Sequence, residues 1–547
     1  MEKPPLPGKR IVTSLIDRED FWNTLTRKQD AWDVVIIGGG ITGAGILYQA
    51  ALHGLSAVLF EQKDFAWGTS SRTTKMVHGG LRYITQGDLK LTKQSVQERD
   101  HLLRAAPGLV EQMDFLFPIR KGQLPGKLVL NSLLAIYDKL AGTTSHGYLD
   151  EKKLKLRIPA LNADNLKGAS YYTDAVTDDA RLVLRVLHAA LHQGALAGNY
   201  MQVQKLLLDQ SDNVSGVQVN NITNGKSLHI RARTVVNATG AWSDSLREPV
   251  SGERTIRPLR GSHIVIPHQY APVTDALTLF HPQDKRAVFI LPWEQTTLVG
   301  TTDLDHKTSL SIEPEISQAE LNYLLTLVKQ QFPGSDLQKE HIISSYAGVR
   351  PVISKDRSKP PSKEKREHKV WQDKNLISVS GGKLTTFRLI ALDVIGIILQ
   401  NIKPEVTVDE NSPPLETATT TERDLALDNP GLSRRLIGSY GNYSLQIKQN
   451  ARGGELRPIT TTRFCLAELR WAARQEAVVH LDDLLLRRTR LGLLIPGGAA
   501  SQLDSIKTIC QEELGWSDAI WKSEKQRYLH LWAKHYSLPK THSNKVV

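Results

Sequence analysis

Residues 33–45 read DVVIIGGGITGAG. The apolar run Val34–Ile37 suits a buried strand, and Gly38, Gly40 and Gly43 follow it in the G-x-G-x-x-G register, opening a helical stretch that ends at Gly54. Gly38 permits the tight turn, Gly40 lets the backbone approach a pyrophosphate, and Gly43 lets helix and strand pack closely. The helix N-terminus stabilises the phosphate charge. A second strand, Ser56–Phe60, ends at Glu61, about twenty residues on, where a carboxylate accepts hydrogen bonds from an adenosine ribose. Gly39 and Thr42 complete the turn, so 32–61 is one βαβ unit and the chain belongs to the α/β nucleotide-binding class.

Such a fingerprint serves NAD and FAD alike, and three later stretches favour FAD. Ser70, Ser71, Thr73, Thr74 and Lys75 form a hydroxyl-rich segment suited to a long dinucleotide, or to an ordinary polar loop. Asn237-Ala238-Thr239-Gly240 ends a strand with small residues on which a cofactor can lie. Gly381-Gly382-Lys383, with Leu384 and Thr385, follows a strand and opens a helix whose N–H groups and positive dipole suit the flavin edge that becomes negative on reduction.

The 547 residues exceed one compact core and suggest two or three domains. A hydrophobic fraction of 40% and a charged fraction of 23% are those of a globular protein, and no fixed-period repeat is visible. Two cysteines, Cys465 and Cys510, exclude a disulfide scaffold and cysteine zinc sites and favour a reducing compartment; no metal is expected. Residues 1–30 lack a signal-type apolar run, and no stretch reaches the about 18 apolar residues of a spanning helix. The net charge of +12 asks for an anionic partner, and without basic clusters interleaved with aromatics that partner is not nucleic acid.

Beyond the first unit, Thr177 reads as the cap of a helix DDARLVLRVLHAALHQ closed by Gly194. Runs at His263–Ile266, Val288–Leu291 and Thr297–Gly300 alternate with turns, as in an antiparallel sheet. The expected layout is an extension over 1–30 and an oxidoreductase core over 31–402. Within the core, nucleotide-binding segments fall near 31–110, 160–245 and 345–402, and a substrate domain mainly near 246–344. A basic exposed loop at 354–369, a Pro/Thr-rich linker at 403–422 and a separate α-helical domain at 423–547 complete it.

The segments IIGGGITGAGI, SSRTTKMVHGGLRY, DDARLVL, NATGAW, GSHIV, YAGVRPV and GGKLTT stand here in an order and spacing that resemble the FAD-dependent (aerobic, respiratory) glycerol-3-phosphate dehydrogenases. These belong to the D-amino-acid-oxidase-like flavoproteins. The likeness runs from about Trp32 to about Gly492, and AELRWAARQEAVVHLDDLLLRRTRLG resembles the family's helical cap. It implies a glutathione-reductase-like FAD-binding Rossmann fold, with His78, Gly79, Gly80 and Leu81 beside the cofactor together with the residues above.

It also implies that Arg82, Tyr83, His263, Arg350 and Lys383 converge on sn-glycerol 3-phosphate over the flavin. The chemistry agrees: Arg offers a bidentate fork to phosphate, Lys a point charge for the developing ketone or reduced flavin, and His a base with an ordinary pKa of about 6.5. His78 competes with His263 for the base. Asp178 and Asp179 read as helix-start and packing residues, and Ala347 stands in YAGVRP where a serine is common in relatives.

Hydride from C2 would pass to flavin N5 and the electrons on to a membrane quinone. The alternatives are an oxygen-reducing oxidase and a non-catalytic or tRNA-modifying flavoprotein. Lys127–Leu140, KLVLNSLLAIYDKL, with Arg120 and Lys121 upstream, fits a helix lying in an anionic membrane interface or an ordinary core helix. With the charge, the expectation is a peripheral protein on the cytoplasmic face of the inner (plasma) membrane, oligomeric order left open, a homodimer included.

Overall fold

A computed structural model of the chain describes residues 18–85, 87–354, 364 and 367–539; the Arg82 side chain and most of the basic 354–369 loop, residues 355–363 and 365–366, lie outside the described residues. Trp32–Ile37 pairs in parallel with Ala57–Phe60 on one side and Ser227–Asn237 on the other, and Leu196–Gly198 and Leu376–Gly381 extend this parallel core outward. Because side chains alternate across a strand, Val34 and Ile36 enter a core shared with the helices Ile41–Leu52, Asp179–His192 and Phe387–Ile402. Val35 and Ile37 face the opposite way, toward the Met201–Leu208 and Val214–Asn221 hairpin and the helix Arg18–Arg27. Burial on both faces explains why the strand is uniformly apolar rather than alternating.

Glycines set the geometry of the first turn. Gly38 has φ 113°, and a methyl at Gly43 would lie 1.9 Å from the Gly38 carbonyl oxygen. The helix behind this turn has no side-chain cap from Gly40 itself; Ser70 Oγ takes the Ile41 N–H, and the N-terminal end of the helix faces the turn.

The second, ten-stranded sheet is larger than the 246–344 segment. Val110–Arg120 and Leu166–Thr177 pair antiparallel along their length and join it, and Ile256–Pro267 lies between Thr296–Gly300 and Ser344–Ile353. One pairing departs from the antiparallel expectation: Ala276–Phe280 runs parallel to Val110–Arg120.

Two further expectations are corrected. Asp178, not Thr177, caps the Asp179–His192 helix, accepting from the Arg181 N–H; a carboxylate at the helix start also answers its positive end. The stretch 384–402 is apolar and long enough to cross a membrane by composition, yet most of it is buried, with the Phe387–Ile402 helix packed against the Ile41–Leu52 helix. The C-terminal helices pack onto the second sheet, Leu469, Leu484, Leu485 and Tyr528 sharing a core with its Phe115, Val265 and Leu298. The 403–421 segment runs over the first domain, where Gln49 exchanges hydrogen bonds with Ser412 and the Pro413 carbonyl.

Candidate active site

The nucleotide cradle is assembled at the carboxyl ends of the parallel strands, the usual ligand crevice of such sheets. Glu61 is half-buried and accepts from the Gly39 N–H at 2.7 Å and the Lys63 N–H at 2.8 Å. Burial pushes its carboxyl above the usual range, and the Lys63 and Gly39 N–H groups pull it back. Ser70 Oγ accepts from the Ile41 N–H at 3.0 Å, drawing the hydroxyl segment across the helix start where Thr42 sits. Ala238 closes the other side, its carbonyl 2.6 Å from where a Gly38 methyl would be. Thr239 is held by Asn237, and Gly240 accepts from Ser380 Oγ at 3.2 Å. A helix N-terminus at a glycine turn, a half-buried carboxylate and glycines that tolerate no methyl fit a dinucleotide such as FAD.

A second group forms where the HGG and GGK turns meet. Gly381 and Gly382 have φ 82° and 75°, and a 3-10 turn, Leu384–Thr386, precedes the helix proper. The Thr385 hydroxyl accepts from the His78 N–H at 3.1 Å, tying the two turns together. Lys383 Nζ donates to Ser95 Oγ at 2.8 Å and sits 4.0 Å above the Tyr83 ring, a cation–π contact. The Gly79 N–H meets the Tyr137 hydroxyl at 3.0 Å, and a Gly80 methyl would collide with Tyr83. Leu81 begins the short helix Leu81–Thr85 that carries Arg82.

The third group lies on one face of the second sheet. His263 pairs across the strands with Gly300 and Tyr346; its ring stacks on Tyr346 at 4.7 Å, and its Nε2 lies 3.0 Å from Thr74 Oγ1. Two residues back along the strand, at Gly261, the Arg350 guanidinium occupies the space a side chain would take. Arg350 is oriented by Asp303 at 3.0 Å and by Thr301 Oγ1 at 3.0 Å. Burial, then the Arg350 charge and the Lys75 charge, hold the His263 imidazole well below its ordinary pKa, so at neutral pH it is an uncharged base.

Sequence reasoning placed Lys75 at the cofactor. Its amine is instead fully buried, paired with Asp179 at 2.7 Å and donating to the carbonyl of Ser71 at 2.8 Å. It missed Ser95, Asp303 and Tyr346. Tyr346 stood inside YAGVRPV and could have been read from that motif, whereas Ser95 and Asp303 carried no local signal.

Comparisons with known proteins agree with this geometry. The family described as FAD dependent oxidoreductase matches residues 33–390, and the C-terminal domain of alpha-glycerophosphate oxidase matches residues 417–520. The aerobic glycerol-3-phosphate dehydrogenase of Staphylococcus haemolyticus is 35% identical over 88% of this chain and 90% of its own. That of a Staphylococcus aureus strain is 31% identical over 93% of this chain and 95% of its own. The solved glycerol-3-phosphate dehydrogenase of Bacillus halodurans, complexed with FAD, is 27% identical, with a TM-score of 0.74 over 95% of this chain and 97% of that one. Cradle, turns and these likenesses converge: the chain belongs to the FAD-dependent oxidoreductases, within the aerobic glycerol-3-phosphate dehydrogenase family, and FAD is its cofactor.

Proposed function

We infer that this chain oxidises sn-glycerol 3-phosphate to dihydroxyacetone phosphate and passes the electrons to a membrane quinone. The observation that carries the oxidation is the placement of Arg350 and an uncharged His263 on one sheet face. Arg350, fixed by Asp303, holds the phosphate dianion or the polarised C2 oxygen through a planar fork. His263 takes the C2 hydroxyl proton. Lys383, fixed by Ser95 and Tyr83, stabilises the charge that develops. Bound FAD supplies the acceptor for the C2 hydrogen and its electron pair.

The membrane half rests on a surface patch. The helix Lys127–Ala141 buries Leu130, Leu134 and Tyr137 and turns Leu128, 84% exposed, and Val129 outward; Leu124, just before it, is 85% exposed. Lys127 Nζ sits 3.7 Å over the Tyr148 ring, and the Tyr148 hydroxyl donates to the Lys167 carbonyl, which brings the neighbouring Glu151–Arg157 helix with exposed Leu156 onto the same side. Lys121, Lys127, Lys152, Lys153 and Lys167 are exposed around these leucines, against the acids Asp150 and Glu151. Protruding apolar side chains within a basic rim suit the headgroup region of an anionic bilayer at the cytoplasmic face, where a quinone is reached without leaving the lipid.

The test is anaerobic mixing of purified FAD-loaded protein with glycerol 3-phosphate while the visible flavin band is followed, then addition of a quinone analogue to one half and oxygen to the other. Bleaching with fast recovery by quinone supports both halves. Fast recovery by oxygen alone makes it an oxidase, and failure to bleach overturns the substrate.

A further inference from the structure

Where the strand Leu166–Thr177 runs into the helix Asp179–His192, two adjacent carboxylates do different work. Asp178 caps the helix and receives Arg490 Nη2 at 2.7 Å. Asp179, fully buried, is ringed by donors. Its Oδ1 takes Arg490 Nη2 at 2.5 Å and Lys75 Nζ at 2.7 Å, while its Oδ2 takes the Thr73 N–H at 2.9 Å and the Thr73 hydroxyl at 2.8 Å. Arg490 comes from the C-terminal helical region and is itself buried, also donating to the Leu486 carbonyl.

From Asp179 the contacts lead to His263 along both flanks. The Thr73 carbonyl accepts the Tyr346 hydroxyl at 2.8 Å, and Tyr346 stacks on the imidazole. The next residue, Thr74, meets His263 Nε2. Lys75, which ends the segment, has φ 63°, in the left-handed region that side-chain-bearing residues rarely adopt and that persists only where surroundings impose it. The Asp179 ion pair and the Thr177 N–H donated to the Lys75 carbonyl at 2.8 Å impose it here. A carboxylate this deep is tolerable only with its cations in place, so loss of Arg490 or Lys75 would leave an uncompensated charge.

We propose that Asp179 is a positioning residue for the reaction. It fixes the Thr73–Lys75 segment, the segment presents the Thr74 hydroxyl to the tip of His263, and Arg490 makes this arrangement depend on the docked C-terminal helices. The proposal rests on His263 being the base of the reading above.

The experiment uses the full-length FAD-loaded protein and follows the rate of flavin bleaching by saturating glycerol 3-phosphate, with the substrate dependence of that rate, FAD content and visible spectrum alongside. Thr74→Val is expected to slow bleaching by roughly 10- to 100-fold, since displacing a reacting group by about 1 Å can cost that much, with little change in substrate affinity. Thr74→Ser, which keeps the hydroxyl, should recover most of that rate. Asp179→Asn should slow bleaching comparably, and the double variant with Thr74→Val should be no slower than the worse single one, because both act along one path. If Asp179→Asn does not fold with FAD, Thr73→Ala, which removes one donor to Asp179, takes its place in the cycle.

Losses that multiply, or an Asp179→Asn protein that bleaches at the parental rate with full FAD, overturn the proposal while leaving the functional reading intact. A parental protein that never bleaches overturns that reading, and this proposal with it.

Discussion

At Gly43 the fold leaves no room for a single methyl group: it would stand 1.9 Å from the Gly38 carbonyl oxygen, backbone that cannot move aside without opening the nucleotide turn. Gly43→Ala is therefore expected to give a protein with less than about a tenth of the FAD content and a lower melting temperature, read from the flavin absorbance of the purified protein and a thermal scan. The pH behaviour also belongs to single residues. His263 is held well below its ordinary value, so it stays uncharged through the neutral range, and the acid limb of kcat/KM should lie below about pH 6.5. Arg350 is the larger of the two charges that depress it, so Arg350→Gln should shift that limb upward while lowering kcat/KM by about 100-fold or more through loss of anion binding. A limb that does not move would argue that His263 is not the titrating base.

Elements differ in how far the sequence announced them. The first βαβ unit was legible because its glycine spacing is imposed by sterics within one short stretch, and GGKLTT was legible for the same reason. Asp303 and Ser95 were not, because each meets its partner across a long sequence gap, Asp303 pairing with Arg350 and Ser95 with Lys383. The role of Lys75 was misread because its anion, Asp179, is supplied by another element. The Lys127–Ala141 helix was ambiguous in sequence; in the fold one side is core and the other carries exposed Leu128, Val129 and Ile136. Leu124→Asp with Leu128→Asp should abolish co-sedimentation with anionic phospholipid vesicles while leaving anaerobic bleaching by glycerol 3-phosphate within about twofold, since surface changes away from a site rarely disturb it. Undiminished vesicle binding would place the membrane surface elsewhere.

For the whole molecule, the C-terminal helices are docked through buried charge. Arg487 and Arg488 both bind Asp64, Arg181 binds Glu476, and Arg490 binds Asp178 and Asp179. Asp178 is drawn down to about 2, and Asp64 and Glu476 also lie below the usual carboxylate range, because the arginine charges outweigh the burial that opposes them. Groups depressed in this way give stability that is present above about pH 4 and is lost as pH falls through their folded values. Glu61, Asp174 and Asp483 are pushed upward chiefly by burial and act in the opposite sense, favouring the fold as pH falls toward 4. His188, His263, His306 and His535 are held below their ordinary value by burial, so unfolding takes up protons below about pH 6.5; the melting temperature should fall from there and more steeply below about pH 4, with Glu476→Gln flattening the steep part, and a melting temperature that rises toward pH 4 would contradict the assignment.

The parallel core also has a consequence for how the chain is made. Trp32–Ile37 lies beside Ser227–Asn237, and that strand beside Leu376–Gly381, so neighbours in the sheet are separated by some of the longest intervals in the chain. During synthesis the first strand can pair early with Ala57–Phe60, but its other edge waits for Ser227–Asn237, and the flavin cradle cannot close until the ribosome has passed Lys383. Through much of translation the nascent chain therefore carries an apolar strand edge without its native neighbour, first at Trp32–Ile37 and then at Ser227–Asn237, so a complete cradle for FAD exists only late in synthesis.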